Sequence, residues 1–164
     1  KIPTLSANGT ALYDSRVIME FLDSEAEEAG CLFPNSEENR FSVLTKVALA
    51  DGAMDAAILI VYEGRFRTKE QRVESFVDYQ RGKIERALGA LASQTDTYKH
   101  KDKPNAADIS LACLLDYLDL RGVVDWRDFA PSLETWIADF AAHAPGYQIT
   151  LAPETPPAPW RKID

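Results

Sequence analysis

Residues 1–23 read KIPTLSANGTALYDSRVIMEFLD, and the reading of this stretch decides the fold. Asn8-Gly9 stands between two short apolar runs. Both residues tolerate positive φ, so the pair is a hairpin turn joining strands over 1–5 and 10–13. Asn8-Gly9-Thr10 also matches a glycosylation sequon, but the turn is the preferred reading. At Ser15 the period changes. Val17, Ile18, Phe21 and Leu22 recur at helical spacing and predict a helix from Ser15 to Ala29, ended by Gly30. A two-stranded hairpin with one helix is marginal in water, so further strands are expected before Lys1.

Beyond the short connection CLFPNSEEN the chain reads as all-helical. Asn35 or Ser36 can cap a long helix to about Glu63, with Glu37 and Glu38 at its positive dipole end. Thr68 and Gln71 have capping-box spacing. Val73, Phe76, Val77, Ile84, Leu88 and Leu91 then form a stripe. ASQTDTYKHKDKP is a polar loop. NAADISLACLLDYLDL is apolar nearly all round, which predicts the buried centre of a bundle. Pro131 opens the next helix at its first position, with Leu133, Trp136, Ile137 and Phe140 facing in. Trp126 and Trp136 read as core. The tail APETPPAPW is Pro-rich and expected to be extended, with Trp160 as a tail contact. No internal repeats are seen.

The composition narrows the function classes. With 164 residues, 46% hydrophobic and 27% charged, the chain can bury a sizeable core. A formal net charge of −8 argues against a nucleic-acid or anionic-membrane binder. No apolar run reaches bilayer length, and no signal-peptide pattern opens the chain. The two cysteines, Cys31 and Cys113, are far apart, and the reading is two reduced, mostly buried thiols in a cytoplasmic protein. His100, in a solvated loop, and His143, near a helix end, lack metal-ligand spacing. No G-x-S-x-G, H-E-x-x-H or Gly-rich phosphate loop is present.

The chemistry lies near the start. Asp14-Ser15-Arg16 ends a strand and opens a helix. A helix N-terminus has unpaired N–H groups and a partial positive charge, so it holds carboxylates or phosphates. Ser15 adds a hydroxyl donor, and Asp14 offers an acceptor for an ammonium. Together they suit a group with an α-carboxylate and an α-amine. Pro3 is the second clue, because a proline in a strand belongs at an edge, a bulge or a cis bond. There it leaves the backbone of Ile2 free to pair with an extended peptide. Each feature also has a purely structural reading: Asp14 as an N-cap, Pro3 as a guard against edge pairing.

The order KIPTL…NG…LYDSRVIMEFLD resembles the second half of the thioredoxin-like domain of glutathione S-transferases. ADISLACLLDYLDLR, DWRDFAPSLETWIADF and GYQITLAP resemble the helical domain of a bacterial branch of that family. The resemblance implies a partial thioredoxin-like glutathione-binding domain over 1–29, a linker over 30–36 and an all-helical C-terminal domain over 37–164. It implies that Pro3 is cis, that Ile2 and Pro3 form the backbone site for the cysteinyl part of glutathione, and that Asp14 and Ser15 hold its γ-glutamyl end. Arg16 matches a position that contributes in some branches only. Asn105 and Asp108 resemble the capping box of the family's buried helix, a folding role. The β-α-β unit that carries the thiol-activating Ser, Tyr or Cys is expected upstream of Lys1.

The family also places an electrophilic second substrate between its two domains, along the long helix. Here that helix offers Asp51, Met54, Asp55, Tyr62 and Phe66; the preferred plainer reading makes Met54 and Tyr62 core or dimer contacts and the aspartates solvated surface. The expected activity is conjugation of the glutathione thiolate to an apolar electrophile in a detoxification role, with glutathione as co-substrate and no metal, in a cytoplasmic homodimer. The alternatives are a non-catalytic interaction module and a ligandin-type carrier of apolar molecules.

Overall fold

In the computed structural model, which describes residues 2–95, 97–100 and 102–152, Asn8 and Gly9 take left-handed φ values of 50° and 76°. This is the backbone that a tight hairpin with right-handed strand twist requires. The turn joins β1 (Leu5–Ala7) to β2 (Thr10–Leu12), with Leu5 opposite Leu12 and Ala7 opposite Thr10. The first strand therefore lies later than the expected 1–5, sharing only Leu5 with it, and Pro3, which has no N–H to give a ladder, stays outside.

Helix α1 (Ser15–Glu25) stops four residues before the expected end. Asp23 is the reason. Its buried carboxylate accepts from the N–H groups of Leu32 at 2.8 Å and of Gly30 and Phe33 at 3.2 Å each. To reach those donors the chain must leave the helix and fold back. Gly30 shapes this return and caps nothing. Its φ is 92°, and a Cβ there would lie 2.6 Å from Asn35 Nδ2, so only glycine fits. The predicted apolar stripe of α1 is only partly covered: Ile18 and Phe21 are partly buried, while Val17 and Leu22 are exposed.

Helix α2 (Glu37–Phe66) follows Ser36, whose side chain makes no cap bond, and carries Glu37 and Glu38 in its first turn. It passes Gly64, where the sequence predicts a stop. The exit is held by side chains instead. Buried Glu63 accepts from Val73 N–H at 3.3 Å and pairs with Arg67 Nε at 2.8 Å. Arg72 Nη2 donates to the Gly64 carbonyl at 3.0 Å. The Thr68–Gln71 capping box forms, but on a 3-10 turn over Lys69–Gln71. Helix α3 (Glu74–Ser93) starts after it and buries Val77, Ile84, Leu88 and Leu91, while Val73 stays exposed.

Helix α4 (Ala106–Arg121) is the buried centre that its apolar surface predicts. Its start is closed reciprocally. Asn105 Oδ1 accepts from the N–H groups of Ala107 and Asp108 at 2.9 and 3.1 Å, and Asp108 Oδ2 accepts from Asn105 N–H at 2.9 Å. Gly122, at φ 60°, ends the helix. Helix α5 (Ser132–His143) begins one residue after Pro131 and buries Leu133, Trp136 and Phe140. A short α6 (Tyr147–Thr150) follows. Helix α2 packs on both α3 and α4. The main core unites Ile84 and Leu88 of α3, Leu114 and Leu118 of α4, Trp126, and Trp136 of α5. Trp126 also donates from Nε1 to Asp119 at 3.0 Å.

A smaller core of Phe33, Val43, Val47, Ala106 and Ala107 joins the connection to the bundle. Ala106 N–H donates to the Leu32 carbonyl at 3.1 Å, and Arg40 Nη2 donates to Glu20 Oε1 at 2.7 Å. Cys31 and Cys113 are both exposed, against the expectation of buried thiols. The Pro-rich tail and Trp160 lie outside the described residues. Asn105→Ala is expected to lower stability by about 1 kcal/mol in denaturant unfolding, and Asn105→Ser to retain most of it. Equal loss in the two variants would mean that the cap oxygen contributes nothing.

Candidate functional site

Asp14 stands before α1 in extended backbone, and its Oδ1 accepts from Arg16 N–H at 3.2 Å. The N-cap reading is therefore realised. It does not consume the site, because a carboxylate has two oxygens and several acceptor positions. Ser15 is the first helical residue and is partly buried. Asp14, though not Ser15, lines an open cleft of about 550 Å³ together with Tyr13, Arg16, Val17, Glu20 and Leu44. The Ile2-Pro3 bond is cis, as the resemblance implies, and Tyr13-Asp14 is cis as well. Ile2 is 94% exposed and precedes the β1 ladder.

Arg16 turns toward α2. Its Nε lies 3.3 Å from Asp51 Oδ2 and 3.8 Å from Asp14 Oδ1. Burial holds the Asp51 carboxyl above the usual carboxylate range; Arg16 opposes this, and the charges of Asp14 and Asp55 add to it. Arg16 thus joins the start of α1 to the middle of α2 and is set against Asp51. The start of α1 presents its N-terminal N–H groups and the Ser15 hydroxyl, which suit a carboxylate, next to the Asp14 carboxylate.

The five residues expected to edge an electrophile pocket are spread along α2. Asp51 pairs with Arg16, and the charge of Asp55 acts on Asp51. Tyr62 and Phe66 are exposed and pack on each other, with ring centroids 5.2 Å apart. At 1.5 Å rise per residue, Tyr62 lies roughly 16 Å along the helix from Asp51. Met54 is partly buried against the main core and serves packing.

A second cavity, of about 440 Å³, lies among α4, the end of α5 and α6. Its lining is mostly apolar and includes Cys113, Asp116, Tyr117, Leu120, Phe140 and Tyr147. Tyr147 Oη donates to Asp116 Oδ1 at 2.8 Å. Burial pushes both groups up; the hydrogen bond raises Tyr147 further and pulls Asp116 back down. Cys113 is exposed on its helix but lines this concave wall, and the enclosure there raises its thiol first, the charges of Asp116 and Asp51 next. Sequence reasoning missed this site. On α4 the apolar residues hide Cys113-x-x-Asp116, and Tyr147 meets Asp116 from 31 residues away. The one available signal was Cys113 and Asp116 at helical spacing in the middle of a helix whose other polar residues stand near its ends.

The histidines are structural. His100 is not a free loop residue, since its Nδ1 lies 2.6 Å from Asp108 Oδ2, beside the α4 cap. His143 Nδ1 lies 2.8 Å from the Asp139 carbonyl in the last turn of α5. Among the described residues no group of three or more His, Cys, Asp or Glu is placed to hold a metal ion. Among the same residues no helix is long and apolar enough to cross a membrane.

Residues 39–139 match the family model described as the C-terminal domain of glutathione S-transferases. The uncharacterized GST-like protein YibF of Escherichia coli K12 is 34% identical over 125 residues, 75% of this chain. The chain spans 61% of that curated relative's length. A solved glutathione transferase family member from Pseudomonas fluorescens Pf-5, with bound S-(propanoic acid)-glutathione, is 37% identical. It superposes with a TM-score of 0.80 over 93% of this chain and 78% of that one. A glutathione S-transferase from Methylobacillus flagellatus KT with glutathione bound is 35% identical, at a TM-score of 0.75 over 88% and 76% of the two chains.

Proposed function

The chain belongs to the glutathione S-transferase family, and from that premise we propose that it binds glutathione at the start of α1 and conjugates it to a small electrophile. The tripeptide lies extended along Ile2-Pro3, paired through main-chain atoms. Its γ-glutamyl end docks on Asp14 and Ser15, the ammonium on the Asp14 carboxylate and the carboxylate on the Ser15 hydroxyl and the helix N-terminus. The thiol loses its proton, and the thiolate attacks an electrophilic carbon to form a thioether as the leaving group departs. Much of the acceleration comes from holding the two reactants together. No described residue is assigned the thiol-activating role. We place the protein in the cytoplasm, as a homodimer in contact through α2 and α3, where Phe41 and Tyr79 are exposed.

The observation that carries this reading is the geometry of α1. An acidic residue and a serine open it beside an open cleft, in a family whose solved relatives hold glutathione or a glutathione conjugate. Ser15→Ala and Asp14→Asn are each expected to weaken glutathione binding about tenfold, measured by titration calorimetry, with loss of retention on immobilised glutathione. The asparagine keeps an oxygen for the N-cap, so the second variant tests charge with the helix start preserved. Unchanged affinity in both variants would overturn the site. Turnover of a chloro-aromatic substrate separates a transferase from a binding module.

A further inference from the structure

Tyr147 and Asp116 form a polar pair inside a cavity whose other walls are largely apolar. The volume of about 440 Å³ falls within the range of small-molecule pockets. A site of this kind takes a ligand with an apolar body and one polar group, and the pair sets which polar group is accepted. Tyr147 uses its hydroxyl proton on Asp116 Oδ1 at 2.8 Å. Among the described residues, Asp116 has no cation and no other hydrogen-bond donor. One carboxylate oxygen is therefore left to accept, in a wall that also includes Leu120, Phe140 and Tyr117, whose ring carries the Arg121 guanidinium 5.2 Å from its centroid.

The surrounding charge acts in the same direction. The carboxylates of Asp116 and Asp51 both raise the Cys113 thiol, so this part of the cavity lies in a negative field. Asp51 has Arg16 as partner at 3.3 Å, and Asp119 has Arg127 at 2.7 Å. Asp116 has no such partner among the described residues. Placing an anion here sets it against an unneutralised carboxylate at low dielectric, while a cation would supply the missing charge.

We propose that the cavity between α4 and α6 binds apolar small molecules carrying an ammonium group, with Asp116 as the anchor and Tyr147 as the residue that orients it. The ring of Tyr147 is itself held edge-on to Phe140, with centroids 5.2 Å apart, so the anchor is pre-positioned by the core. This names the class of second substrate for the transferase reading and rests on that reading only for turnover. The binding stands independently of glutathione.

The test uses 4-phenylbutylamine and 4-phenylbutyrate, which share an apolar body and differ in charge, titrated calorimetrically without glutathione. The amine is expected to bind at least about tenfold more tightly than the carboxylate, and Asp116→Asn to remove that preference. Tyr147→Phe is expected to weaken the amine several-fold and keep the preference. Cys113 locates the ligand. In a Cys31→Ser background, saturating amine is expected to slow alkylation of Cys113 by iodoacetamide about tenfold, a readout that needs no change at the anchor. Equal binding of the two probes, unchanged preference in folded Asp116→Asn, or no protection of Cys113 would each overturn the proposal. Amine binding with no conjugating activity would leave this site standing and count against the transferase reading. Conjugation without amine preference would do the reverse.

Discussion

Asp23→Ala is expected to destabilise the protein by about 3–5 kcal/mol, lowering the melting temperature by roughly 10 °C. The carboxylate is 7% exposed and accepts from Gly30, Leu32 and Phe33 N–H groups. Hydrogen bonds to a charged group are among the stronger ones, and truncation would leave three backbone donors near the smaller core without partners. Phe33 is fully buried beside Val43 and Val47, and the Leu32 carbonyl receives Ala106 N–H. The loss therefore spreads to the junction between α1 and the bundle. Asp23→Asn should recover part of it, because one amide oxygen can still accept while the amide nitrogen faces donors. A fall of less than about 1 kcal/mol for the alanine variant, by reversible denaturant unfolding, would show that water or a shifted loop satisfies those N–H groups.

Trp136→Ala is expected to cost about 3–5 kcal/mol as well, by a different mechanism. The indole is 2% exposed. Phe140 stacks on it at 5.2 Å and Tyr98 meets it edge-on at 5.8 Å. Deleting the ring removes a large apolar area and leaves a cavity whose neighbours sit on three different segments and cannot all collapse into it. Phe140 in turn supports Tyr147, so the loss should reach the α4–α6 cavity. Trp136→Phe is expected to retain at least about half the stability lost in the alanine variant. A melting temperature within a degree or two of the parent for Trp136→Ala would contradict this account of the core.

Local patterns were legible wherever one residue's neighbours in sequence are also its neighbours in space. The Asn8-Gly9 turn, the Asn105–Asp108 box, the all-round apolar surface of α4 and the inward face of α5 are all of this kind. So is the start of α1 at Asp14 and Ser15. Element ends were less legible. Helix α1 stops early because Asp23 answers donors seven to ten residues ahead, and α2 runs past Gly64 because Glu63 is satisfied from the far side of the turn. In both cases a glycine signal was outweighed by a buried carboxylate. Cys31 and Cys113 read as buried thiols from composition, yet both sit on exposed faces.

The sequence by itself determined the order of hairpin, helix and bundle, and the chemistry offered at the first helix N-terminus, because backbone propensity, periodicity and capping act within a few residues. Only the tertiary structure decided which polar side chains share a site. It set Arg16 against Asp51 and brought Tyr147 onto Asp116. Such pairings depend on how helices pack across long stretches of chain, where burial makes an unmet carboxylate or hydroxyl costly, and no pattern confined to one helix records them.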